Sequence, residues 1–141
     1  MALACRITKG AAFVGMLGGG NSTGNKRAFI GLDASGFLTV GWGTSVTETS
    51  PVDRSGADAV IVVTGDGVSR EVYLNGAVLT FAAMSGGPDG TGGALALGAY
   101  NNNGTPQNWA GGNLYAALAL NRRVTPSEIA GITSILRSTY Q

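Results

Sequence analysis

The sequence predicts an all-β fold, a two-sheet antiparallel sandwich carrying one short C-terminal helix. Three observations predict it. From residue 59 onward, short apolar runs alternate with turn-forming clusters, the pattern of strands joined by tight connections. Glycine is abundant, at 24 of 141 residues, with no collagen-like period. Charged residues make up 12% against 44% hydrophobic, well short of the roughly 25% charged in an average globular chain. Such a chain has a core to bury and many turns to make. Its length suits a single domain spanning residues 1–141.

The elements follow in order. Residues 2–8 have the character of a short edge strand, and 11–17 form a second apolar run ended by Gly18-Gly19-Gly20-Asn21. Residues 27–32 and 36–42 read as strands around Asp33-Ala34-Ser35-Gly36. Residues 43–58 are polar, contain Pro51 and read as a long loop or a ragged edge. The first 58 residues therefore look short of strands. Residues 59–63 (Ala-Val-Ile-Val-Val) are a continuous β-branched run, which predicts a strand covered on both faces. After the turn at Thr64-Gly65-Asp66-Gly67, residues 68–74 alternate, with Val68, Val72 and Leu74 on one parity. Asn75-Gly76 is a two-residue hairpin signal, because a type I′ turn needs positive φ at both positions. Residues 77–81 return, 85–93 are a Gly-rich loop, 94–100 a strand, 101–111 a polar loop and 113–121 the last long strand. Thr125-Pro126-Ser127-Glu128 combines an N-cap, proline at the first helical position and glutamate at the third. Val124 and Ile129 are spaced for a hydrophobic staple, and Ile129, Ile132, Ile135 and Leu136 predict the apolar stripe of that helix.

Composition excludes several functions. The net charge is +1 and the only adjacent basic pairs are Lys26-Arg27 and Arg122-Arg123. A nucleic-acid surface needs a clustered basic stripe, so no nucleic-acid partner is expected. There is no histidine, which removes His-dependent triads and His-based metal sites. The single cysteine, Cys5, allows no intrachain disulfide and reads as a small buried apolar residue. No run approaches the roughly 18 apolar residues of a membrane helix, so no membrane partner is expected. No export signal is read at the N-terminus.

Three segments together resemble the laminin G-like, concanavalin A-like jelly-roll family. They are Val72-Tyr73-Leu74-Asn75-Gly76, Leu95-Ala96-Leu97-Gly98-Ala99, and Leu120-Asn121-Arg122-Arg123-Val124-Thr125-Pro126-Ser127-Glu128-Ile129. They occur in the family's order, and the likeness covers the C-terminal half of the chain. The resemblance implies a two-sheet antiparallel jelly-roll sandwich, and a history of binding glycans or protein surfaces more often than catalysis. The family's hydrolase motif is missing.

The carboxylates point the same way. Glycoside hydrolysis needs two such groups about 5–10 Å apart. The acids are Asp33, Glu48, Asp53, Asp58, Asp66, Glu71, Asp89 and Glu128, and no predicted strand carries two on one face. No catalytic residue is assigned and no enzyme is expected. The glycines before Lys26 lack the spacing and the following Ser or Thr of a phosphate loop. Asp33, Asp66 and Asp89 could offer oxygens to calcium, but none lies in a dense array, so no metal or other cofactor is assigned. Asn21-Ser22-Thr23 and Asn103-Gly104-Thr105 fit the glycosylation pattern and read as turns.

The candidate ligand site is the polar segment from Tyr100 to Trp109. Tyr100 and Trp109 would form an aromatic platform, and Asn101, Asn102, Asn103 and Asn108 would address sugar hydroxyls. Turn chemistry alone also accounts for the Asn and Gly residues. Two functions are weighed. The first is a phage virion protein, a capsid decoration or tail component. It would be made in the host cytoplasm without a signal peptide, work in the virion, and dock as a homo-oligomer on capsid or tail subunits. The alternative is a carbohydrate-binding, lectin-like module for cell-surface glycans.

Overall fold

The computed structural model describes residues 1–20, 27–43, 47–66, 70–79, 94–102 and 104–141. Its strands are β1 (Ala2–Thr8), β2 (Val14–Gly20), β3 (Arg27–Leu32), β4 (Phe37–Gly43), β5 (Thr47–Asp53), β6 (Asp58–Gly65), β7 (Arg70–Leu74), β8 (Ala77–Leu79), β9 (Ala96–Leu97), β10 (Tyr100–Asn102), β11 (Thr105–Gln107) and β12 (Gly111–Leu118), followed by helix α1 (Pro126–Arg137). One sheet has the order β12-β1-β6-β7-β8. The other runs β11-β10-β2-β3-β4-β5, with β9 also paired to β2. Among these strands, pairing is antiparallel except between β10 and β2. The predicted all-β sandwich with one C-terminal helix is the observed architecture.

Strand alternation fills two cores. Leu3, Cys5 and Ile7 of β1 join Ala59, Ile61 and Val63 of β6, Val72 and Leu74 of β7, and Met16, Ile30, Leu32, Leu38 and Val40 of the second sheet in the space between the sheets. Residues of the opposite parity, Ala2, Ala4, Val60 and Val62, meet Val124, Ile129 and Leu136 under the helix. The β-branched run is therefore covered on both faces, as its composition predicts. Asn75 and Gly76 make the β7–β8 turn with φ of 52° and 87°. Cys5 is buried beside Met16, and burial pushes its thiol up to about 12.

Several expectations are corrected. β1 is not an edge strand: it pairs with β6 on one side and with β12 on the other. Of the two readings of residues 43–58, the edge is the one found: β5 is an edge strand there, where Pro51 removes one donor that an edge can spare. Among the described residues, five strands thus precede β6, which begins at Asp58. Gly18-Gly19-Gly20 continues β2 rather than ending it. The predicted strand 94–100 is broken at Gly98 (φ 72°) into β9 and β10, and the polar loop after it contains β11. On the helix, Thr133 takes the buried place expected of Ile135, which is exposed. Residues 21–26, 44–46, 67–69, 80–81 and 85–93 of the expected turns, loops and strands lie outside the described residues.

Candidate functional site

The outer face of the second sheet is built on missing side chains. A Cβ on Gly31 would strike the Phe13 ring, one on Gly41 would strike the Phe29 ring, and one on Gly15 would meet the Tyr100 backbone and stand 2.7 Å from the Ala99 carbonyl carbon. These glycines let three rings lie close to the sheet. Phe29 and Tyr100 meet edge to face at 5.3 Å between centroids, Phe13 and Phe29 at 5.2 Å, and Phe13 and Tyr100 at 6.4 Å. Such edge-to-face pairs satisfy the ring quadrupoles. Sequence reasoning missed Phe13 and Phe29. The signal was glycine at facing positions of neighbouring strands, and it needs the register to be read.

This cluster decides what Tyr100 does. It is 7% exposed and presents no open face to a ligand. Asn101 is also buried, and its Nδ2 donates to the Ala94 carbonyl at 2.6 Å, tying β10 back to the segment before β9. Asn102 is half-buried at the end of β10, opposite Gly20 of β2. Asn103 lies outside the described residues. Asn108 is exposed at a φ of 55°, a conformation that asparagine tolerates better than most residues. Its carbonyl accepts from the Gly15 N–H at 2.6 Å.

Trp109 is different. It is 66% exposed, the next residue's N–H donates to the Gly98 carbonyl at 2.9 Å, and its own backbone bridges to Gly15. The indole thus stands in solvent on a backbone pinned to β2 and to the β9–β10 corner. Leu97, one residue before that corner, is 53% exposed. Thr105, Pro106 and Asn108 are exposed around the same hairpin, with Gln107 half-buried. The structure therefore separates the expected two-ring platform. Tyr100 is buried against Phe13 and Phe29 on the sheet, and of the two rings Trp109 alone is exposed.

The acids whose side chains are described are all engaged. Asp33 accepts from the Ser35 and Phe37 N–H groups at 2.8 and 2.9 Å. Lys9 lies 2.7 Å from Asp53 and holds that carboxyl below its usual range. Arg6 does the same for Asp58, which also accepts from the Tyr115 hydroxyl at 3.0 Å. Arg123 reaches Asp66 at 3.0 Å and Glu71 at 3.5 Å, and Arg122 pairs with Glu128 at 2.6 Å. Among the described residues no group of three or more His, Cys, Asp or Glu side chains could hold a metal ion. Asp89 lies outside them.

No family model matches the chain, and no curated protein matches it in sequence. Its fold has solved counterparts. The carbohydrate-binding module CBM40 of the Ruminococcus gnavus IT-sialidase superposes with a TM-score of 0.66 at 15% identity, covering 94% of this chain and 80% of that one. The same module bound to alpha2,6 sialyllactose gives 0.67. A mutant Trypanosoma rangeli sialidase displaying trans-sialidase activity gives 0.64 at 18% identity, over 99% of this chain and 23% of the enzyme. The fold is a concanavalin A-like jelly-roll sandwich. That much the resemblance of the C-terminal segments implied, and the likeness extends it over the first half of the chain.

Proposed function

We propose that this jelly-roll domain is a non-catalytic carbohydrate-binding module. The observation that carries the reading is Trp109, an indole left in water on a backbone held by hydrogen bonds to two other segments. An aromatic side chain loses little entropy when it meets a ligand and offers a flat apolar face. The amides and hydroxyl of Asn108, Gln107 and Thr105 stand on the same hairpin and both donate and accept, as sugar hydroxyls require. The likeness to CBM40 supports the reading, since that module is solved with sialyllactose bound. CBM40, which this chain matches over 94% of its length, is a binding module, and that likeness supports a binding role over hydrolysis.

These counterparts favour the glycan-binding alternative over a virion subunit, for which they offer no support. The experiment is binding of the purified chain to a glycan array, repeated with Trp109→Ala. Because the indole is exposed, the variant should melt like the parent. Its glycan binding should weaken about tenfold or more, as for other aromatic anchors. Unchanged binding would move the site away from Trp109.

A further inference from the structure

We infer that the Trp109 site selects neutral sugar rings and does not read the carboxylate of sialic acid, although the structural counterparts are solved with sialylated ligands. The inference rests on the glycan-binding reading above. From Gly90 to Asn121 the chain carries no charged side chain. That stretch contains β9, β10, β11, β12 and Trp109 itself. The segment pinned beneath it, from Gly10 to Gly20, is also uncharged.

A carboxylate brought to a protein surface needs charge-assisted donors to replace its water, and Arg supplies them best. The indole face carries the negative part of the ring quadrupole, so it favours C–H groups over an anion. Among the described residues, the nearest cation by register is Lys9. It follows Thr8, which pairs with Gly111, two residues beyond Trp109. Its ammonium is directed elsewhere, to Asp53 at 2.7 Å and to the Ser35 carbonyl at 3.3 Å. An incoming carboxylate would meet a charge already neutralised. Arg27 stands opposite Gly43 at the other end of the sheet, beyond the Gly20–Asn102 pairing, whereas Trp109 bridges to Gly15. What the site offers is an apolar plane with amide and hydroxyl partners, which matches a neutral pyranose.

The test compares matched glycans on an array and then by titration calorimetry. Each neutral oligosaccharide is paired with its sialylated form, and the best binders are measured against Trp109→Ala at low and high salt. The expected result is binding that depends on Trp109, differs less than about threefold between paired glycans, and changes little with salt. Binding that depends on Trp109 but requires sialic acid, and weakens with salt, would overturn this inference and leave the glycan-binding reading standing. Binding independent of Trp109, or no binding to either class, would overturn that reading and this inference with it.

Discussion

Gly15 shows how a single hydrogen atom positions the site. Its N–H holds the Asn108 carbonyl, its backbone bridges to Trp109, and its empty Cβ position leaves room for Ala99 and Tyr100. Here the obstacle is backbone, which cannot swing aside as a side-chain tip can. Gly15→Ala should therefore overpack the contact and cost about 1–3 kcal/mol, read as a lower midpoint in urea. It should also weaken glycan binding, because the segment that carries Trp109, bridged to Gly15, is displaced. A variant as stable as the parent would mean that β10 is not seated on β2. The amide-rich segment was legible in the sequence as a turn with two flanking aromatics. Which aromatic faces water was not. Tyr100 and Trp109 have equivalent local surroundings, and only the pairing of β10 with β2 turns one ring in and leaves the other out.

Among the elements, the helix was the most legible, because its signals are local. Glu128 N–H donates to the Thr125 hydroxyl at 3.4 Å, and the Thr125 N–H donates to the Glu128 carboxylate at 2.8 Å. Val124 and Ile129 are both buried across this cap, as the staple predicts. Thr125→Ala should cost about 1 kcal/mol, the usual worth of an N-cap, seen in chemical denaturation. Arg122 and the Thr125 backbone N–H hold the Glu128 carboxyl down to about 2 from its ordinary 4.5. Because the folded value is the lower one, this stabilisation is complete above the unfolded value and is lost as pH falls through the folded one. The melting temperature should drop as pH goes from about 5 to 2, and Glu128→Gln should flatten part of that drop. Asp53 and Asp58, lowered by Lys9 and Arg6 in the same sense, contribute to the same drop. An unaltered acid profile in Glu128→Gln would remove the cap from the acid response. The short strands were less legible. β5 carries a proline, and β9 and β10 are two and three residues long around a positive-φ glycine, so none of them leaves a period to count.

At the scale of the molecule, what the sequence hid was partnership between distant strands. The alternation in β1 is plain, but nothing local says that it lies between the last strand and the sixth. The segment from Ala2 to Ile7 has no hairpin partner nearby in the sequence, which leaves a neighbouring chain or the distant last strand to pair with it. The structure pairs it with the last strand, β12, and with β6 on its other side, so β1 itself gives no reason to expect a homo-oligomer. This placement also makes β1 a keystone of two cores. Leu3, Cys5 and Ile7 enter the space between the sheets, and Ala2 and Ala4 enter the layer beneath the helix. Removing residues 1–8 would open a gap between β12 and β6 and strip both ladders of their hydrogen-bond partners, a loss far larger than a domain's few kcal/mol of net stability. The shortened chain should show no cooperative melting transition. Adding a peptide of residues 1–8 in trans should restore one, because the vacated slot is a strand-shaped template with partners on both sides. An edge strand would behave differently: its loss would lower the melting point and leave a folded domain. A truncated chain that still melts cooperatively, and binds glycan as before, would show that β1 does not bridge the sheet and would undo the topology on which the position of Trp109 depends.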